Sequence, residues 1–206
     1  PKKKTPLNNW ISKLYDRMFQ EIFIIGMTEG KLIFPLGSGY PLEKGKYYDF
    51  MGINYYTRDI VSFKMDASTL FSKREVFDGS QVNDLGWEIY PEGIYRICKK
   101  YYERLKTPIF ITENGTSDEK DEFRIKYIYD HLYQINKLIN EGIDVQRYYH
   151  WTLMDNFEWL EGLSSKFGLV SVDPVSYERK VKESGLFYSE LCREKGVTEE
   201  LIKKYL

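Results

Sequence analysis

Residues 107–115 read Thr-Pro-Ile-Phe-Ile-Thr-Glu-Asn-Gly, and this stretch decides the fold class. A short apolar run follows the proline and ends at an Asn-Gly pair, which is typical of a tight turn. The pattern predicts a strand over 109–112 that ends beside Glu113. Apolar residues at helical spacing lie on both sides of this strand, so it belongs to an alternation of helices and strands.

The predicted helices rest on apolar residues repeated every three or four positions. A first helix is expected over residues 7–26, because its apolar stripe stops near Gly26. Others are expected from Pro91 to Leu105 and from Ile125 to Gly142, since proline is favoured in a first turn and glycine at a C-terminal stop. Two more are predicted in the tail, over 178–195 and 199–206.

Two more strands are predicted over 47–56 and 145–151, and residues 57–86 are interpreted as a long excursion with a small hairpin. Alternating helices and strands predict parallel strands joined by helical crossovers, which is an α/β fold. Three parallel strands are too few to close an eight-stranded barrel and leave two unpaired edges, so the chain is expected to need a partner. Because no repeat or linker-like stretch divides them, residues 1–206 are predicted to form one domain.

The composition excludes several classes of function. Lys and Arg total 30 and Asp and Glu total 31, giving a formal net charge of −1, so no basic field favours nucleic acid or an anionic membrane as a partner. No run approaches the ~18 apolar residues of a membrane span. Cys98 and Cys192 are too few for a disulfide framework, which favours a reducing, cytoplasmic setting. The chain is 17% aromatic, and aromatic rings pack cores but also stack on sugars.

Metal and cofactor chemistry has little support in the sequence. His131 and His150 are the only histidines, and neither has a Cys or His at ligand spacing, so both are interpreted as structural residues. No glycine-rich phosphate-binding motif occurs. The sequence therefore predicts neither a metal site nor a cofactor.

Glu113 is a candidate reactive group, because it lies at the C-terminal end of a predicted parallel strand, where α/β folds place such groups. Asn54 and Tyr56 lie two apart at the end of another strand and therefore share a face. If that face lines the same cavity, the Tyr56 hydroxyl can bond the Glu113 carboxylate and keep it ionised. The alternative is a plain turn, in which Gly115 supplies a positive φ, Glu113 faces water and Tyr56 packs in the core.

A third cluster follows the last predicted strand. Trp151 is followed by Asp155-Asn156-Phe157-Glu158-Trp159, so two indoles and an acid converge there. An apolar sugar face stacks on an indole while carboxylate oxygens accept hydrogen bonds from sugar hydroxyls, so the mixture favours a carbohydrate site. The alternative is a packed aromatic corner with Glu158 at the surface.

Taken in order, these motifs resemble the C-terminal part of glycoside hydrolase family 1, the retaining β-glucosidases and β-galactosidases with an eightfold (β/α) barrel. The stretches are similar to the family's sixth strand, the lead into the next helix, the seventh strand, and the eighth strand with its sugar-binding loop. The fold implied is the C-terminal half of a TIM barrel, strands six to eight with their helices, incomplete in this chain. The matching stretches are DFMGINYYT (49–57), GWEIYPEGIY (86–95), IFITENG (109–115) and WTLMDNFEWLEGLSSKFGLVSVD (151–173).

The resemblance implies a role for each matching residue. Glu113 would be the nucleophile that forms a covalent glycosyl-enzyme, Tyr56 would be its hydrogen-bonding partner, and Asn54 would lie beside them. The other matching residues would hold the sugar: Trp151 as the stacking platform, Glu158 through ring hydroxyls, Trp159 through a neighbouring hydroxyl, and Phe167 as a wall of the pocket.

The chain also departs from the family pattern. Retaining hydrolysis needs a second carboxyl group about 5–5.5 Å from the nucleophile, and the family's acid/base lies in a Thr-x-Asn-Glu-Pro motif, whereas this chain contains no Asn-Glu-Pro. The family's N-terminal sugar-binding Gln, His and Asn also lack counterparts. Leu163 and Lys166 stand where the family usually has Tyr and Arg, and Arg147 stands at a usual Gly position. By period two Arg147 shares a face with Trp151, so inside a barrel it would need a partner.

The resemblance thus implies a β-glycosidase that hydrolyses terminal β-D-glucosides or related β-glycosides and takes its acid/base glutamate from elsewhere. Three arrangements are open. A separate N-terminal half-barrel chain completes the site, or the chain is a fragment of a longer enzyme, or it is a non-catalytic sugar-binding or scaffolding half-barrel that associates with itself. Pairing of both exposed strand edges favours the first arrangement.

Overall fold

The computed structural model describes residues 5–41 and 43–206. Their contacts separate into two compact units, one formed by the described residues up to Asp49 together with Asp59–Gly79, and the other by Phe50–Arg58 and Ser80–Leu206. The helices and strands are, in chain order, α1 (Pro6–Asp16), α2 (Ile22–Glu29), β1 (Met51–Asn54), β2 (Ile60–Phe63), β3 (Ser72–Glu75), α3 (Glu92–Leu105), β4 (Ile109–Asn114), α4 (Arg124–Asn140), β5 (Val145–His150), β6 (Val170–Val172), β7 (Arg179–Val181), α5 (Glu183–Glu194) and α6 (Glu199–Tyr205).

The first unit contains α1 and α2, joined by the π-helical turn Arg17–Glu21. The Thr5 side chain caps α1 by accepting a hydrogen bond from the backbone N–H of Asn8. The predicted end near Gly26 is wrong, because the helix continues to Glu29 and stops at Gly30. Gly30 adopts a left-handed φ of 66°, which a residue with a side chain rarely adopts and which ends a helix.

The same unit contains the antiparallel hairpin of β2 and β3, in which Ile60 pairs with Glu75 and Phe63 with Ser72. The small hairpin predicted within residues 57–86 is therefore confirmed. A second hairpin, β6 with β7, lies in the other unit and was not predicted. Because Arg179–Val181 pair as a strand, the helix predicted from 178 begins only at Glu183.

The second unit is built on a parallel sheet with the strand order β1-β4-β5. Met51 of β1 pairs with Ile109 of β4, and Ile109 pairs with Val145 of β5. The helices α3 and α4 provide the crossovers, which confirms the predicted α/β fold. The strand predicted over 47–56 is shorter in the structure, because only the residues from Met51 onward pair with β4.

The two faces of this sheet differ in burial. Ile53, Ile109 and Ile111 lie on a buried face, on which Tyr55 contacts Gly93 of α3. On the opposite face, called the open face below, Phe110 stacks on Phe50 with 4.2 Å between ring centroids. Phe50 is 45% exposed, whereas Ile109 and Ile111 on the other face are fully buried. Within the described residues, no helix has the length and apolar content needed to cross a membrane.

Candidate active site

Glu113 and Tyr56 meet at the C-terminal end of the parallel sheet. Glu113 lies near the end of β4, and Tyr56 lies two residues beyond the end of β1. The Tyr56 hydroxyl donates a 2.6 Å hydrogen bond to Oε2 of Glu113, and the Tyr55 backbone N–H donates to the Glu113 carbonyl at 2.9 Å. The two strands therefore hold the half-buried Glu113 carboxylate against the Tyr56 phenol. Glu113 does not simply face water, as the alternative of a plain turn would require.

Electrostatics keep the Tyr56 phenol protonated. Burial raises the pKa of Tyr56 well above its usual value. The hydrogen bond to Glu113 raises this pKa further, because removing the phenol proton would break the bond. The charge of Glu158 acts in the same direction, which places that carboxylate within electrostatic reach of the phenol. Tyr56 is thus a fixed donor toward the Glu113 carboxylate.

Asn54 lies on the open face at the end of β1. Its Cα pairs with Glu113, but its side-chain Oδ1 accepts a 2.6 Å hydrogen bond from the hydroxyl of Thr112. The register shifts between Ile53 and Asn54, so the simple period-two argument that grouped Asn54 with Tyr56 does not hold through this point. The structure brings Asn54 beside the site without a bond to either Glu113 or Tyr56.

Asn114 supports the pair from the buried side of the sheet, a role that sequence reasoning missed. Its amide donates to the carbonyl of Tyr55 at 2.7 Å and to the Tyr127 hydroxyl at 3.0 Å, and it accepts from the Tyr148 hydroxyl at 2.8 Å. The side chain is fully buried and all its polar groups are used. It therefore ties β1, β4, β5 and α4 together one residue after Glu113.

Trp151 and Glu158 form a second pair past the end of β5. The indole Nε1 of Trp151 donates a 3.2 Å hydrogen bond to Oε1 of Glu158, and the Trp151 backbone N–H donates to the Asn114 carbonyl at 2.9 Å. Both side chains are half-buried. An indole face beside a carboxylate offers a stacking surface and hydrogen-bond acceptors, which is the combination that a sugar ring requires.

A buried ion pair holds the loop that carries Glu158. The ammonium of Lys182 lies 3.2 Å from Oδ1 of Asp155, which also accepts from the Gly168 backbone N–H at 2.8 Å. Both charged side chains are at least nine-tenths buried. A side chain on Gly168 would overlap the backbone of Asp155, so the two segments of the loop approach each other closely.

Aromatic rings surround Tyr56. Phe167 is buried and lies edge-on to the Tyr56 ring at 6.2 Å, so this predicted residue contacts the pair. Trp87 lies at 6.0 Å from both rings. Trp87 belongs to the stretch 86–95, but the sequence alone predicts no role for it, because the loop that contains it has no periodic pattern. Its neighbour Glu88 forms a bidentate ion pair with Arg58 that brings this loop to the end of β1.

Trp159 is not brought into this cluster. The residue has a left-handed φ of 48° and its side chain is 84% exposed. Gly115 differs from the alternative considered for the turn, since it does not have a positive φ. The glycine is required for another reason: a β-carbon there would overlap the carbonyl oxygen of Trp151, so the residues that directly follow β4 and β5 approach each other more closely than any side chain permits.

Arg147 lies on the open face, as its period-two spacing predicts. Its guanidinium is 6.0 Å from the Phe110 ring centroid. Arg147 pairs with Phe110 in the sheet, and the pairing of β4 with β5 is irregular between Ile109 and Phe110. The residue is exposed.

Comparison with known proteins places these residues in one family. The family model for glycosyl hydrolase family 1 matches residues 41–197. The chain is 34% identical to a β-galactosidase of Sulfolobus acidocaldarius over 205 residues, which cover 95% of this chain and 41% of that protein. It is 40% identical to β-glucosidase A of Thermotoga maritima over 163 residues, which cover 73% and 36%. A solved structure of a β-glycosidase from Pyrococcus horikoshii superposes with a TM-score of 0.89 at 34% identity, over 100% of this chain and 48% of that one.

The chain therefore spans less than half of the length of these relatives. The matched region nevertheless contains the whole parallel sheet and every candidate site residue named above. The resemblance carried by the four sequence stretches is confirmed: the chain belongs to glycosyl hydrolase family 1.

Proposed function

We propose that this chain carries the nucleophile of a retaining β-glycosidase that acts on terminal β-D-glucosides or related β-glycosides. The observation that carries the proposal is the 2.6 Å hydrogen bond from Tyr56 to Glu113 at the C-terminal end of a parallel strand. The neighbouring pair of Trp151 and Glu158 supplies a stacking surface and acceptors for a sugar. The substrate class is supported by the names of the relatives, which are β-galactosidases and β-glucosidases.

In the proposed reaction, a carboxylate oxygen of Glu113 attacks the anomeric carbon while the bond from that carbon to the leaving oxygen breaks. The leaving oxygen takes a proton from an acid/base carboxyl group outside residues 1–206. Water, deprotonated by the same group, then attacks the anomeric carbon, releases the sugar and regenerates the Glu113 carboxylate. Tyr56 orients Glu113, Trp151 stacks on the sugar, and Glu158 accepts its hydroxyls.

The sheet supports a partial barrel as the arrangement. A closed barrel pairs every strand edge and fills its interior with side chains from all strands. Here β1 and β5 each pair on one side only within the described residues, and Phe50 on the open face remains 45% exposed. We propose that residues 1–206 form one partial domain with strands six to eight, completed by an N-terminal half-barrel, on a separate chain or the same one, that carries the acid/base glutamate.

The proposal is tested by complementation and mass spectrometry. The chain is co-expressed with the part of the Pyrococcus horikoshii β-glycosidase that it does not cover, and hydrolysis of aryl β-glucosides and β-galactosides is measured on the purified complex. A 2-deoxy-2-fluoro aryl glycoside is then added, and intact mass is expected to show one glycosyl adduct on this chain. Peptide mapping is expected to place the adduct on Glu113.

Matched variants separate a nucleophile from a nearby carboxylate. Glu113→Gln is expected to abolish the adduct, while Glu119→Gln, at an exposed position six residues on, is expected to leave it unchanged. An adduct that persists in Glu113→Gln contradicts the assignment. An assembled complex that binds glycosides but forms no adduct and hydrolyses none supports the non-catalytic sugar-binding module instead.

A further inference from the structure

The free edge of β5 has the properties of a docking site for one more strand. Strand β5 pairs with β4, and no second strand pairs with its other edge among the residues that the structure describes. Backbone N–H and C=O groups on such an edge favour the addition of an extended segment. Because β4 and β5 are parallel, a parallel strand continues the sheet.

An apolar groove runs beside this edge on the side of the helices. It encloses about 840 Å³, and α4, β5, α5 and α6 all contribute to its wall. Several of its apolar side chains are substantially exposed, so other described residues do not bury this apolar surface completely. The apolar residues that line it include Leu132, Ile135, Ile139, Leu191, Val197 and Ile202.

Arg147 borders the groove, and its guanidinium lies over the open face of the same strand. Its guanidinium is 6.0 Å from the Phe110 ring, and Phe110 stacks on Phe50. No carboxylate of the described residues forms an ion pair with it. A strand laid along β5 would remove water from this guanidinium, and a buried charge is costly without a paired and hydrogen-bonded counterion.

We infer that the strand of the proposed half-barrel that continues the sheet beside β5 presents a carboxylate to Arg147, with apolar side chains on its other face toward the groove. Side chains of a strand alternate between faces, so one strand satisfies both requirements if an acidic residue is flanked by apolar ones. The inference rests on the proposed function, because it specifies the strand with which the completing half-barrel contacts this chain.

A second copy of this chain fits the edge poorly. On the open face β1 carries Gly52 and Asn54, so a copy that added its β1 would bring no carboxylate to Arg147. Two copies that paired through β5 would bring no carboxylate to Arg147 either, because Val145–His150 contains no Asp or Glu. Charge complementarity therefore selects a different, acidic strand.

The test uses the uncovered part of the Pyrococcus horikoshii β-glycosidase as the probe. In its strand next to the equivalent of β5, each position facing the barrel interior is varied among Glu, Gln, Lys and Leu, and the variants are selected for binding to this chain. Glu is expected to be enriched at one position and to bind at least about 30-fold more tightly than Gln there, the effect expected when one member of a buried charge pair is replaced.

Variants of this chain assign the preference to Arg147. Arg147→Met is expected to remove the preference, and Arg147→Glu to change it from Glu to Lys. Arg179→Met, at an exposed arginine of β7, is the matched control and is expected to keep the preference for Glu. Equal binding of Glu, Gln and Leu variants overturns the inference, and so does the absence of any complex.

Hydrolysis measured on the same complexes keeps the two proposals apart. Complexes that hydrolyse β-glycosides without a charge preference overturn this inference and leave the proposed function standing. Complexes that prefer Glu but neither hydrolyse nor form an adduct on Glu113 support the inference and overturn the proposed function.

Discussion

The Tyr56 hydroxyl donates to Oε2 of Glu113 across the ends of two parallel strands, at 2.6 Å. The bond joins residues 57 positions apart in sequence, and the backbone bond from Tyr55 to the Glu113 carbonyl keeps the two strand ends together. The phenol therefore meets the carboxylate because β1 pairs with β4, and the register shift between Ile53 and Asn54 lies directly before this point.

Removing this hydroxyl should slow the first chemical step. A hydrogen bond to a charged group contributes about 1.5–3 kcal/mol, so Tyr56→Phe is expected to reduce the rate of glycosyl-adduct formation in the assembled enzyme by about 10- to 100-fold. The rate is measured by time-resolved intact mass after addition of the fluorinated glycoside. Tyr177→Phe, in the exposed turn between β6 and β7, serves as the control and should react at the wild-type rate. A wild-type rate in Tyr56→Phe would mean that the phenol does not act on Glu113.

The close approach of Gly115 to Trp151 predicts a large loss of stability on a small substitution. In Gly115→Ala the new methyl group overlaps the Trp151 carbonyl oxygen, a backbone atom that cannot move without shifting β5. The free energy of unfolding is expected to fall by about 3 kcal/mol, the upper part of the range for overpacking. Urea unfolding followed by circular dichroism measures the change. Gly196→Ala meets no atom within 4 Å and should stay within about 0.5 kcal/mol of wild type.

These two residue pairs show what the sequence could predict. The sequence predicts Glu113 and Tyr56 as candidates because each lies at the end of a predicted strand, and strand ends follow from apolar runs and turn residues. The sequence also places Gly115 in a turn, but its steric constraint is the Trp151 carbonyl, which only the three-dimensional structure reveals.

Other features depend on contacts that no local pattern encodes. Trp87 reaches Tyr56 because the Arg58 to Glu88 ion pair spans 30 residues and holds its loop in place. The strand Arg179–Val181 has three exposed residues and no apolar alternation, so only its pairing with β6 defines it. The helix ends at Gly30 and not near Gly26, because Gly30 has a left-handed φ of 66° whereas Gly26 has no positive φ.

The buried histidine of α4 predicts that stability decreases in mild acid. His131 is fully buried, and burial lowers its pKa to about 4, below the usual value of 6.5. Between these values the unfolded chain binds a proton that the folded chain does not, so the contribution is present above pH 6.5 and is lost as the pH falls toward 4. From pH 7 to pH 5 this histidine should cost about 2 kcal/mol.

Urea unfolding at the two pH values checks the sign and the size. His131→Gln is expected to be less stable at pH 7 because packing is lost, yet its stability should fall by about 2 kcal/mol less than that of wild type between pH 7 and pH 5. The comparison of differences removes the packing loss from the result. An unchanged pH dependence in His131→Gln would show that His131 does not resist protonation in the folded state.

The buried pair of Lys182 and Asp155 predicts strong coupling between two distant segments. Burial lowers the pKa of Lys182, while Asp155 favours its charged form. Asp155→Asn leaves the ammonium buried without a counterion and should destabilise the chain by about 3–5 kcal/mol. Adding Lys182→Met removes that charge, so the double variant is expected to recover a large part of the loss.

A double-mutant cycle in urea measures this coupling, and the surface pair of Lys126 and Asp130 provides the comparison. That exposed pair, one helical turn apart, is expected to couple by only about 0.3–0.5 kcal/mol, because water screens it. If the effects of Asp155→Asn and Lys182→Met simply add, the ion pair does not hold the loop. A large coupling would mean that the loop of Glu158 is held by the charge of Lys182, at the start of α5. In that case glycoside affinity in the assembled enzyme should weaken more in Asp155→Asn than in the double variant.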